Sequence, residues 1–319
     1  MAAAPFPSWV MMEYFVFRRD DDESFPDDSK APIRATGATS WNAPLRLAFC
    51  LAEPPLVSRL YAQFPGFPDP KEQRPLAIQT AHCHLFLFRV GTCTPALGGV
   101  VLQDFFVYNA NDPSSLIALP ACTEPYPDYS RSGCRLPRRP PGQEEERRLL
   151  TVGRESSWVY RGASVVDAGR ALKFVNLARN DGVGYGPLKP GAGFTITCHT
   201  LMTLTPGQMV WNEDYKISSD ELWSLNSSEC LPRDILMFPQ VNIDNPHKVH
   251  FLMSDFEWAL KKMWVVVINM KTKTVDSFSK YINGKEGLET DDGDLTKKRS
   301  EAPMSFLPCE FSKFLQSLS

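Results

Sequence analysis

Along much of this chain, apolar residues recur at every second position in short runs closed by turn residues. Leu45, Leu47 and Phe49 are spaced by Arg46 and Ala48. Residues 78–90 end in Leu85-Phe86-Leu87-Phe88 and predict a strand or one arm of a hairpin. Residues 104–110 are aromatic and β-branched and run into an Asn-Asp-Pro turn. Residues 194–197 continue through Leu201 to Leu204 and stop at Pro206-Gly207, and residues 249–253 and 263–270 form two further runs. Successive side chains of a strand point to opposite faces, so a period of two between turn signals marks strands. Val265 to Ile268 lacks the polar alternate, which predicts a strand covered on both faces. Three short helices are expected: residues 54–64 (Leu56, Val57, Leu60 and Tyr61), residues 219–225 behind a cap at Ser219 or Asp220, and the tail 310–318. The pattern predicts an all-β sandwich, barrel or propeller with few short helices.

Composition narrows this. The chain has 319 residues, 27 of them Pro, and 19 of those fall before residue 151. Long helices are therefore disfavoured, most of all in the first half. The net charge of −3 argues against a broadly basic nucleic-acid binder. No apolar run approaches the ~20 residues that span a bilayer as a helix. The apolar start, Trp9 to Met12 and Tyr14 to Phe17, lacks a basic leader and is interrupted by Glu13, which argues against a secretory signal. The eight cysteines, Cys50, Cys83, Cys93, Cys122, Cys134, Cys198, Cys230 and Cys309, are scattered and read as mostly reduced thiols of an intracellular protein. The sequon at Asn226-Ser227-Ser228 then has no role.

Two segments interrupt the strand pattern. Residues 120–148 hold five prolines beyond Pro120, the run Glu144 to Glu146 and six arginines, with little to bury, and predict a loop or linker. Residues 283–302 form a second polar loop, and 303–319 an amphipathic end. One β unit over residues 1–319 is expected, broken by these loops.

The candidate chemistry is thin. His82-Cys83-His84, with Cys93 beyond, would put two imidazoles on one strand face, but lacks a second pair at ligand spacing; ordinary strand residues are the better reading. Cys198-His199, and His247 with His250, carry no stronger signal. The cluster Gly182, Gly184, Gly186, Gly191 and Gly193 lacks a Gly-Lys-Ser/Thr ending and precedes a strand, so it reads as a flexible turn rather than a phosphate loop. Ser277-Phe278-Ser279-Lys280 matches Ser-x-x-Lys without the motifs that accompany it in acyl-enzymes. The seven tryptophans read mostly as core, with one or two as anchors of a binding face. No catalytic, cofactor-binding or metal-binding residue is assigned.

A longer pattern connects these runs. Pro7-Ser8-Trp9-Val10-Met11-Met12 leads to Phe17-Arg18-Arg19-Asp20-Asp21, then Asp104-Phe105-Phe106-Val107-Tyr108-Asn109-Ala110, Ser114-Ser115-Leu116 and Leu119-Pro120. Then come Val166-Asp167, Leu172-Lys173-Phe174-Val175, Pro190-Gly191-Ala192-Gly193-Phe194, Trp211-Asn212-Glu213-Asp214, Asp220-Glu221-Leu222-Trp223, Leu231-Pro232-Arg233 and residues 308–315. This order resembles a plant family, expanded in grasses, that carries a domain of unknown function similar to F-box-associated β-propeller domains. The resemblance implies an irregular or incomplete β-propeller-like fold and a non-enzymatic protein-interaction scaffold in the cytoplasm or nucleus. It brings no catalytic residue and no cofactor. No F-box is visible in residues 1–50, so docking to a ubiquitin-ligase adaptor is not supported. A middle segment usual in the family is missing or diverged after Ser157-Trp158. The alternatives are a hydrolase with a site in a propeller funnel, built on His82, His84 or His199, and, less favoured, a nucleic-acid binder.

Overall fold

Strands form where the period-two runs lie, because each run buries one face and every second residue. A computed structural model describes residues 6–65, 76–93, 101–120, 159–167, 170–184, 186–205, 208–227, 231–254, 262–282 and 305–318. The loops expected at 120–148 and 283–302, and the gap expected after Trp158, lie almost wholly outside these residues. The described fold is all-β, with one α-helix among seventeen strands. The chain divides into two compact units, residues 1–139 with 307–319, and residues 140–306, where a single β unit was expected.

The first unit is built on β1 (Val10–Arg18), β2 (Ile33–Ala38), β3 (Pro44–Cys50), β4 (Val57–Gln63), β5 (Leu76–His82), β6 (Leu85–Cys93), β7 (Val101–Asn109), β8 (Asp112–Ala118) and β17 (Leu307–Cys309). They form one sheet in the order β17-β1-β4-β3-β2-β8-β7-β6-β5. The sheet curls so that β5 lies against β1 and β17. Its core is aromatic. Phe49 meets Phe86, Tyr108 and Phe311 at ring distances of 5.6, 4.8 and 5.3 Å, and all four side chains are fully buried. Phe311 opens a 3-10 helix, Phe311–Leu318, which sends Phe311 and Leu315 into the core and leaves Lys313 outside.

The helix expected over residues 54–64 is instead β4. It pairs parallel with β1 and antiparallel with β3, and Leu60 and Ala62 enter the core on the alternation that Ser58 begins. Tertiary pairing overrides the helical spacing of Leu56, Val57, Leu60 and Tyr61.

The second unit contains two antiparallel four-stranded sheets. One is β9 (Arg161–Val166), β10 (Ala171–Arg179), β11 (Phe194–Thr205) and β12 (Gln208–Ser218); the other is β13 (Leu236–Val241), β14 (Lys248–Ser254), β15 (Met263–Asn269) and β16 (Thr274–Ile282). Each is an up-and-down meander, the strand plan of a propeller blade. Val265 to Ile268 are buried on both faces of β15, as the uninterrupted run predicts. The sheets meet where Ser164 on β9 accepts from the Gln240 amide at 2.8 Å. Gly162 on β9 is required there: a Cβ would stand 1.9 Å from the Pro239 carbonyl oxygen. The helix expected at 219–225 is present as α1 (Ser219–Leu225), capped by Ser218, whose hydroxyl accepts from the Glu221 N–H at 3.2 Å.

Candidate functional site

The β9–β12 sheet has two unlike faces. On the inner face, Ser164, Val166, Val175, Leu177, Ile196, Cys198, Thr200 and Ile217 are buried. Lys173 and Thr200 are direct cross-strand neighbours there. The pairing of β11 with β12 slips between Cys198↔Tyr215 and His199↔Glu213, which makes Asp214 the extra residue of a β-bulge. The bulge turns its carboxylate inward. Asp214 Oδ2 accepts from Lys173 Nζ at 2.8 Å and Thr200 Oγ1 at 2.5 Å, and Oδ1 accepts from the Asn212 amide at 3.1 Å. Burial alone raises the Asp214 pKa, but these hydrogen bonds and the Lys173 charge outweigh it and hold the group below the ordinary carboxylate value. Beside it, burial pushes the Cys198 thiol up to about 12, so it stays protonated at neutral pH.

The outer face is apolar and open at one end only; at the other, Arg161, Asn176, Thr197 and Lys216 share a polar row. Cross-strand pairing aligns Val165, Leu172, Leu201 and Trp211 in one row, and Ala163, Phe174, His199 and Glu213 in the next. Val165 is 58% exposed, Met209 64% and Trp211 50%. Phe174 holds the Trp211 ring edge-on at 6.2 Å. A solvated sheet face ordinarily carries polar residues at these alternate positions, and this row departs from that pattern.

Strand β12 is also the edge of its sheet. Among the described residues its backbone pairs with β11 alone. Its two halves differ. Residues 213–216 carry Glu213, Lys216 and the bulge at Asp214, features that discourage an added strand. Met209, Val210 and Trp211 have no such guard. Glu213 stands at the junction, its carboxylate 3.7 Å from His199 Nε2 and without a Lys or Arg partner among the described residues.

The residues singled out from sequence separate. His82 closes β5, Cys83 and His84 form the two-residue turn into β6, and Cys83 has φ +49°. The two imidazoles are therefore not on one strand face. Cys83 Sγ lies 3.4 Å from His82 Nε2, while His84 packs edge-on to Phe314 at 5.6 Å. The Cys93 side chain lies outside the described residues. Cys198 and His199, being adjacent on β11, point to opposite faces. His247 Nδ1 meets the Tyr215 hydroxyl at 2.8 Å, and His250 is buried in β14. Among the described residues no three His, Cys, Asp or Glu are grouped as metal ligands. Among the described residues, Cys83, Cys198 and Cys309 are free thiols.

The glycine cluster joins β10 to β11 as a held loop. The Arg179 guanidinium donates to both Asp181 carboxylate oxygens (2.9 and 2.6 Å), to the Gly186 and Pro187 carbonyls (2.6 and 2.8 Å) and to the Tyr160 hydroxyl (2.8 Å). Those hydrogen bonds hold the Asp181 carboxyl well below its usual range. Of the tryptophans, Trp9 is buried, Trp41, Trp223 and Trp264 are half-buried, and Trp211 is the described one that is exposed. Its signal in the sequence is position: the apolar run Met209-Val210-Trp211 comes one residue after the turn-type pair Pro206-Gly207, where a polar stretch is ordinarily expected.

Residues 97–250, just under half the chain, match the model of a family described as a protein of unknown function (DUF1618). The match contains the β9–β12 sheet, the held loop and α1. No curated protein matches the chain.

Proposed function

We propose that this chain is a non-enzymatic protein-interaction scaffold, acting in the cytoplasm or nucleus. Its contact is the unguarded half of β12 with the apolar outer face beside it. The occupant is an extended apolar segment of a partner protein that carries a basic residue to meet Glu213. Strand addition to an open edge supplies the backbone hydrogen bonds, and alternate side chains of the segment lie beside Met209 and Trp211. The observation that carries this reading is Trp211, half exposed at a sheet edge inside an apolar row. Tryptophan in such a setting is a common energetic anchor of interfaces. The plant-family resemblance, with its likeness to F-box-associated propeller domains, points to the same class of role.

The test is selection of a displayed library of random peptides, about eight residues long, on the full chain. Enriched peptides should alternate apolar residues and carry Lys or Arg. Their affinity should fall about tenfold or more with Trp211→Ser and with Glu213→Lys. Absence of enrichment, or binders indifferent to both changes, overturns the proposal.

A further inference from the structure

Between the held loop and α1 lies a cleft of about 450 Å³, lined by Leu188, Lys189, Pro190, Gly191, Ala192, Asp220, Trp223, Ser224 and Arg233. Its volume is in the range of small-ligand sites. Both walls are fixed. Arg179 and Asp181, whose side chains are 3% and 1% exposed, anchor the loop from beneath. The Asp181 carboxylate also accepts from the Val183 and Lys189 backbone N–H groups at 3.1 and 3.2 Å. Gly191 turns the loop with φ +77°. Gly193 then passes so close to α1 that a Cβ would stand 2.2 Å from Ser219 Oγ, and that hydroxyl accepts from the Phe194 N–H at 3.1 Å. On the helix side, Phe194 holds the Trp223 ring edge-on at 5.7 Å. Burying an ion pair is costly in desolvation, and here it preforms one side of a cleft, which lowers the ordering cost of binding.

The charges of the lining are unbalanced. Lys189 and Arg233 are cationic and Asp220 is the one acid. The Arg233 guanidinium lies over the Trp223 ring at 5.7 Å and, among the described residues, pairs with no carboxylate. Lys189 Nζ donates to the Asp181 backbone carbonyl at 3.3 Å, which leaves its charge uncompensated by that contact. We infer that the cleft binds a small organic anion. Its apolar body packs on Leu188, Pro190, Ala192 and Trp223, and its phosphate or carboxylate group is held between Lys189 and Arg233. This site is separate from the β12 surface and independent of it.

The test is calorimetric titration of the full chain with phenyl phosphate, benzoate, phenol and inorganic phosphate. Phenyl phosphate should saturate with a Kd of about 1 mM, and phenol and inorganic phosphate should each bind more weakly. Comparison with benzoate tells which anionic group is preferred. Arg233→Met and Lys189→Met should each weaken phenyl phosphate about fivefold. Asp220→Asn should tighten it, a gain that misfolding cannot produce. Trp211→Ser should leave it unchanged. Lack of saturation by either aromatic anion, or affinity unmoved by both Arg233→Met and Asp220→Asn, overturns the inference.

Discussion

Lys173 and Asp214 meet at 2.8 Å on the inner face of the β9–β12 sheet, with side chains 12% and 15% exposed. They come from strands that are not adjacent, β10 and β12, and reach each other across Thr200 on β11. Removing one partner leaves a charge with little water, whereas removing both does not. Asp214→Ala should cost about 3 kcal/mol in urea unfolding. The pair Lys173→Met with Asp214→Leu should cost clearly less than the two single changes summed. Additive costs would mean that the two side chains are not coupled.

His250 should give the second unit an acid-sensitive stability. Burial lowers its pKa from 6.5 to about 4, the Gln240 backbone hydrogen bond opposing this only in part. The unfolded chain then binds more protons than the folded one between pH 4 and 6.5. Stability therefore rises with pH across that window and is fully present above it. The drop on acidification should be roughly 3 kcal/mol, the free-energy equivalent of that pKa difference. His250→Leu should flatten this part of the profile. Asp181 and Asp214, whose pKa values are lowered, add losses of the same sign at lower pH. A stability curve level from pH 6.5 to 4 would contradict the assignment.

Two glycines should respond differently to alanine. At Gly162 the new methyl meets the Pro239 carbonyl oxygen at 1.9 Å, a backbone atom that cannot swing away. Gly162→Ala should therefore cost about 3 kcal/mol or more and disturb the β9–β13 junction. At Gly191 nothing lies within 4 Å, and the cost is that of holding φ +77° with a Cβ, about 1 kcal/mol. Thermal unfolding of both variants measures the difference; equal losses would mean that the close approach at Gly162 is relaxed in solution.

Thiol labelling should divide the described cysteines. Cys198 and Cys309 are buried, and burial pushes both thiols up, so neither should react with a disulfide reagent in the folded chain. Cys50 and Cys83 are partly exposed and should be modified first. Peptide mass mapping after brief labelling reads this site by site. Early modification of Cys198 would show that the inner face opens readily.

Phe311→Ala should test the aromatic core of the first unit. The ring touches Phe49, Phe86 and Tyr108, and its loss should cost about 4 kcal/mol. Trp211→Ser, at an exposed edge, should change stability by less than about 0.5 kcal/mol. The contrast separates an aromatic that packs the fold from one kept at the surface.

Most strands were legible because alternation is local. Residues 45–49, 104–110, 194–204 and 263–270 each state their own burial pattern. The helix at α1 was legible from its capping residues, although the cap is Ser218 rather than Ser219 or Asp220. The misreadings fall where local spacing is ambiguous. Residues 54–64 satisfy a helix and a strand alike, and pairing with β1 and β3 decides between them. His82 and His84 alternate on paper, but a two-residue turn at Cys83 ends the strand between them.

The sequence by itself determined the all-β class, the thinness of its catalytic motifs and the short helices at residues 219–225 and at the tail. Each of these depends on residues within a few positions of one another. Tertiary structure alone decided which of the described tryptophans is exposed, where Asp214 points and what surrounds the glycine loop. Those depend on strand order, on a single bulge in the register of β12, and on contacts between residues such as Lys173 and Asp214, 41 positions apart. The energy of such a contact is set by burial and by the geometry of its partners, and neither exists until the sheet has formed.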